Sequence, residues 1–128
     1  VQLSGTKVVF RPVDGVAIAD TEVRNYEVDV KGISDIMILA YSTLSHPVTI
    51  TVDDKAGVPL QLWDTNTNTF KYVRSITLPA HAGLVLLTSH PELEFVKRYS
   101  GEAFTLRIKC DTAPTHGSLT IRVTGVRV

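Results

Sequence analysis

Residues 34–52 constrain the fold of this chain more than any other stretch. Two strand patterns stand there, joined by a short polar turn. In the first, 35–43, Ile36, Ile38 and Ala40 share one face, and Met37, Leu39 and Tyr41 share the other. A β-strand sends alternate side chains to opposite faces, so this strand is apolar on both. In the second, 47–52, Val48, Ile50 and Val52 alternate with Thr49 and Thr51, the pattern of a strand covered on one side only. The pair predicts the middle of a sheet beside a strand nearer its exposed part.

The rest of the chain repeats this short-strand rhythm. Residues 6–11 alternate until Pro12 and the Asp14-Gly15 pair, which predict a break. Residues 25–31 place Tyr26, Val28 and Val30 inward against Glu27, Asp29 and Lys31. A strand is expected over 58–63, with Pro59 confining it to an edge or a strand start. After the polar tip 64–69, one strand is expected over 70–78, then a run apolar on both faces at 84–87. Ser89-His90-Pro91-Glu92 has the form of a capping box and predicts one short helical turn or an irregular segment, with Gly101 as its stop. Phe104, Leu106, Ile108 and Cys110 share a face, as do Leu119, Ile121 and Val123. The phase then slips at Gly125, which predicts a β-bulge. Eight to ten short strands without a long helix predict an all-β fold, a single-domain antiparallel β-sandwich or jelly roll over residues 1–128. Residues 1–18 are expected as an N-terminal arm or an edge strand.

Thirteen basic and thirteen acidic side chains cancel, so no global field draws the chain onto nucleic acid or a membrane surface. No apolar run is long enough to span a bilayer. Zero net charge also leaves little electrostatic defence against self-association, which favours life in an assembly. The lone Cys110 excludes an internal disulfide and ends an apolar strand face, so it reads as a buried structural thiol. The first residues carry no signal-peptide pattern, and synthesis in a cytoplasm is the expectation.

Few residues carry a chemical signal. His46, His81, His90 and His116 sit in turn clusters, none beside a cysteine or carboxylate at ligand spacing. Asp64-Thr65-Asn66-Thr67-Asn68 begins like a calcium-binding EF-hand loop, but Thr69 stands where that loop needs glycine and Ser75 where it needs glutamate. Nucleophile elbow, phosphate loop and dinucleotide fingerprint are all missing from the sequence. No catalytic, cofactor-binding or metal residue is assigned, and the chain does not read as an enzyme. Trp63 and Tyr72, with Asp64, Asn66 and Asn68, form a candidate ligand or partner contact, since aromatic rings stack on sugars and bases. Such a site predicts an exposed, roughly coplanar aromatic pair. Met37, Leu39, Tyr41, Val85 and Leu87 are candidate subunit contacts, because a small second layer cannot cover both faces of their strands. Arg107, Lys109, Arg122 and Arg127 would form one basic stripe, able to dock on an acidic protein surface, if their strands are neighbours.

From residue 32 onward, the order of signals resembles compact β-sandwich virion proteins, bacteriophage capsid decoration proteins among them. The shared features are the two-faced apolar strand, the His-Pro-Val-Thr-Ile-Thr-Val strand, the Leu-Pro-Ala-His-Ala-Gly turn and the closing Ser-Leu-Thr-Ile-Arg-Val strand. The resemblance implies a virion protein that forms a homotrimer, or another small ring. It would bind a major capsid or other structural protein on the outer shell, without nucleic acid or membrane. The alternatives from the residues themselves are a carbohydrate- or ligand-binding β-sandwich module, and a subunit of a cell-surface appendage or filament.

Overall fold

The computed structural model describes residues 5–55, 57–73, 75–99 and 102–127. The strands are β1 (Thr6–Val16), β2 (Arg24–Asp29), β3 (Ile33–Ser42), β4 (Val48–Asp54), β5 (Gln61–Asp64), β6 (Thr69–Tyr72), β7 (Ile76–Leu78), β8 (Gly83–Leu86), β9 (Ala103–Lys109) and β10 (Leu119–Arg127). Sheet A has the order β1-β10-β3-β8 and sheet B the order β2-β9-β4-β7, with every neighbouring pair antiparallel. β5 and β6 form a separate two-stranded hairpin inserted between β4 and β7. With that hairpin set aside, successive strands alternate between the two sheets except at β4 and β7, which follow one another as neighbours in sheet B. This alternation is the jelly-roll form of the β-sandwich, as the strand rhythm predicts.

The inner faces of both sheets meet in one core. Ile36, Ile38, Ile121 and Val123 from sheet A and Ile50, Val52, Leu106 and Ile108 from sheet B are all buried. Their period-two spacing is the local cause of the layered fold: each strand puts its β-branched and leucine side chains on one side and hides them against the opposite sheet.

β3 and β4 are not neighbours in one sheet, as the sequence pattern suggests; they lie in opposite sheets. The link between them is a corner. Leu44 is fully buried in it, and the Thr43 and Ser45 amides donate to the Ser118 and His116 carbonyls of the β9–β10 loop. A tight hairpin turn would leave no room for that buried leucine.

Other boundaries also move. β1 continues through Pro12 to Val16, with register shifts on either side of Val13. It can do so because it is an edge strand, where a proline forfeits no ladder bond. The described part of 1–18 is thus an edge strand; residues 1–4 lie outside the described residues. The expected strand over 70–78 is two strands in different sheets, β6 and β7. Residues 89–100 hold a helical segment of 3₁₀ type, Pro91–Arg98, preceded by a 3₁₀ turn at Leu87–Ser89. Its cap is His90, whose Nδ1 accepts from the Glu92 amide at 3.1 Å, and Leu93 and Val96 bury its inner side. Gly101, the expected stop, lies outside the described residues.

The register does slip at Gly125, but the extra residue sits on β3. Thr124 opposes Met37 and Val126 opposes Ser34, so Asp35 and Ile36 face Gly125 together, and Asp35 takes φ +53°. A Cβ on Gly125 would collide with the Ile33 side chain, which is why glycine stands opposite the bulge.

Candidate functional site

Three surfaces carry the residues singled out by sequence. The first is the β5–β6 hairpin. Its tip turns through Asn68 at φ +55° and is tied by Asp64, which accepts from the Asn66 amide at 2.9 Å and pairs with Lys71 Nζ at 2.9 Å. The Lys71 ammonium and that amide together hold the Asp64 carboxyl below its ordinary range. Opposing residues of an antiparallel pair share a face, so Trp63 and Phe70 stand together, with Gln61 and Tyr72 beside them. Trp63 is 51% exposed, Phe70 64% and Tyr72 65%. A cleft of about 380 Å³ runs along the hairpin to Pro91 and Glu92 and gathers Trp63, Tyr72, Asp64 and Asn66, but not Asn68.

Trp63 and Tyr72, the aromatic pair expected here, are both exposed. Trp63 meets Phe70 edge-on, at 5.1 Å and 76° between ring planes. Phe70 belongs to the exposed aromatic set although sequence reading placed it only in strand periodicity. Its signal was its position directly across the turn from Trp63.

The second surface is the outward side of sheet A. Met37, Leu39 and Tyr41 point away from the core, as predicted. On β8 the outward phase is the opposite of the expected one: Leu84 is 60% exposed and Leu86 36%, Val85 is half-buried, and Leu87 is 1% exposed. Leu87 has turned into the 3₁₀ segment and belongs to the core, so it is not available to a second subunit. The ladder sets Leu86 opposite Leu39 and Leu84 opposite Tyr41. This apolar patch ends at β8, an edge strand of four residues.

The third surface is the outward side of sheet B. Arg107 and Lys109 lie on β9 here, whereas Arg122 and Arg127 lie on β10 in the other sheet, so the four do not form one stripe. Arg122 opposes Leu39, within the apolar side of sheet A. On sheet B, Arg107 stands between Asn25 and Thr51, and Thr105 between Glu27 and Asp53. Thr51, Asp53 and Thr105 point outward yet are buried. The chain between β4 and β7 covers them, with Pro59, Leu60, Tyr72 and Val73 closing over Asp53 and Arg107. Arg107 Nε lies 3.3 Å from Asp53 Oδ2. Below this surface, the Tyr99 hydroxyl stands 2.6 Å from Asp54 Oδ1 and 2.8 Å from the Ala103 carbonyl. Burial and the neighbouring Asp54 carboxylate push the phenol up to about 12.

The histidines stay apart from these surfaces. His81 and His116 are brought within 5.6 Å, ring to ring, at one end of the sandwich. Among the described residues, no group of three or more histidine, cysteine or carboxylate side chains could hold a metal ion. Cys110 is buried, and burial raises its thiol pKa, as fits a structural cysteine. No described helix is long and apolar enough to cross a membrane.

Comparison with protein-family models, with curated proteins and with solved structures finds no match. The functional reading therefore rests on these three surfaces alone.

Proposed function

We propose that this chain is a structural subunit of an assembly, a jelly-roll virion protein of the capsid-decoration type, that works by surface complementarity and not by turnover. The observation that carries the reading is the outward side of sheet A, where Met37, Tyr41, Leu84 and Leu86 are 42%, 48%, 60% and 36% exposed next to an open sheet edge. An apolar face beside an unpaired strand is an aggregation hazard unless something covers it. A second copy is the simplest cover, because a chain with zero net charge does not repel itself. The exposed aromatic side of the β5–β6 hairpin is a second apolar surface, at a different place on the same chain. Two different patches meeting head to tail give a heterologous contact, which makes a ring such as a trimer when the rotation between copies closes. A major capsid or other structural protein would be met by the remaining surface.

The test is mass in solution, by light scattering after size exclusion over a wide concentration range. A trimer or other small ring is expected, and the double variant Leu84→Ser, Leu86→Ser should fall to monomer while staying folded. A wild-type chain that stays monomeric at high concentration overturns the reading.

A further inference from the structure

The outward side of sheet B is built unlike an ordinary solvent face. Its polar side chains are partly walled in: Asp53 is 3% exposed, Thr51 5% and Thr105 6%. Burying a carboxylate is costly even when it is paired, and an apolar residue would serve the fold as well or better. Where a sequence breaks a local rule of this kind, a binding role is the first place to look for the compensation.

Three cavities beside these groups share walls. A cavity of about 590 Å³ is bounded by Asn25, Glu27, Asp53, Thr105 and Arg107. One of about 250 Å³ adjoins it under Tyr72, and one of about 370 Å³ reaches to Thr51 and Lys109. Arg107 borders all three and Asp53 two of them. Taken together, these cavities make a groove with Arg107 as its common wall.

The chemistry of the lining narrows the ligand. In the largest cavity, Arg107 and Lys55 are balanced by Asp53 and Glu27; in the third, Lys109 is balanced by Asp111. Among the described residues this lining has no net charge, which offers no advantage to a polyanion such as a nucleic acid. It does present donors and acceptors side by side: the Arg107 guanidinium and the Thr105 hydroxyl, the Asp53 and Glu27 carboxylates, and the Asn25 amide, which is both, while the Thr51 hydroxyl is taken up by Ser75. Vicinal hydroxyl groups need that mixture, since each gives one hydrogen bond and accepts others. Tyr72, 65% exposed at the groove wall, adds an aromatic surface for the apolar face of a sugar ring.

We infer that this groove is a binding site for a neutral saccharide, held by Asn25, Glu27, Asp53 and Arg107 on the sheet and by Tyr72 from the hairpin. It lies on the sheet opposite the apolar face of sheet A, and it shares Tyr72 alone with the hairpin side proposed above as the second self-association patch. It also shifts the sugar-contacting surface from the hairpin tip to the hairpin root.

The test is a titration of the isotopically labelled full chain, followed by amide chemical shifts, with cello-, malto- and chito-oligosaccharides and with heparin. At least one neutral series should move the amides of Asn25, Thr51 and Arg107 and saturate in the millimolar range or below. Asn25→Ala and Tyr72→Ala, both at exposed positions, should each weaken binding about tenfold with no change in melting temperature. Heparin should leave the groove unmoved. Shifts with heparin alone would make the groove an anion site and overturn the inference. So would the absence of groove shifts with every neutral series at millimolar concentration, or variants that bind as the wild type does.

Discussion

The two sheets of this sandwich have matching inner faces and contrasting outer ones. Outside sheet A, the β3–β8 ladder pairs Leu39 with Leu86 and Tyr41 with Leu84, an apolar surface open to solvent. Outside sheet B, the β9–β4 ladder pairs Arg107 with Thr51 and Thr105 with Asp53, a polar surface on which all of these but Arg107 are shut away from solvent. Each face is the inverse of what a solvated sheet requires. The folding of the chain explains the inner faces, because both obey the same period-two rule and close one core. It does not explain the outer ones, so those are where interactions with other molecules are to be sought.

The largest effects should fall equally on the two sheets. Ile38→Ala in sheet A and Ile50→Ala in sheet B each remove a fully buried side chain from the shared core. Each should cost about 2–5 kcal/mol in urea unfolding. A loss confined to one of them would break the symmetry of the inner faces. Arg107→Met is next. It keeps much of the stem but leaves the Asp53 carboxylate, 4% exposed, without its guanidinium. A loss of about 2 kcal/mol is expected, less than for a fully enclosed pair because the arginine side chain is 44% exposed. No loss would show that Asp53 is better solvated than its burial implies. On the opposite face, Leu84→Ser with Leu86→Ser should change the unfolding free energy of the monomer by only about 0.5 kcal/mol. Contrast with the Arg107 variant is the point: one outer face holds the fold, the other does not.

The smallest effect is confined to alkaline solution. The Tyr99 phenol is raised from 10.0 to about 12 in the folded chain. A group whose pKa is raised on folding lends stability that is fully present below its unfolded value and is lost as pH rises through the folded one. Stability should therefore decline between pH 10 and about 12. In Tyr99→Phe, which cannot ionise, that decline should be reduced. An unchanged alkaline profile in the variant would mean that other groups govern this range.

How much of this was legible in the sequence follows from the physics of alternation. Ile36, Ile38 and Ala40 against Met37, Leu39 and Tyr41 fixed the two-faced nature of β3, because a strand's period is two and needs no partner to be read. Leu84-Val85-Leu86-Leu87 has no alternation at all, so its phase was undetermined, and the inward set was taken for the outward one. Residues 70–78 kept one phase through a sheet change, since Tyr72, Ile76 and Leu78 are two or four apart; the local mark of a break was Arg74, which interrupts that apolar face in the sequence. The burial of Thr51 and Asp53 had no sequence signature, because its cause is the connection between β4 and β7, which returns over them. The scattering of Arg107, Lys109, Arg122 and Arg127 across two sheets was likewise a matter of topology, decided by which strands become neighbours.

The pairing of β1 with β10 has a mechanical consequence. Thr6 lies directly opposite Arg127, so the two described ends of the chain sit side by side at one end of an antiparallel ladder. Tension applied between them would open that ladder like a zipper, one rung at a time, and would meet only the weakest link at each moment. Load spread over the outward faces would instead press the two layers together through the core. A molecule of this shape bears force well through its sides and poorly through its ends, and a linker joining those ends would close the chain into a loop with little disturbance.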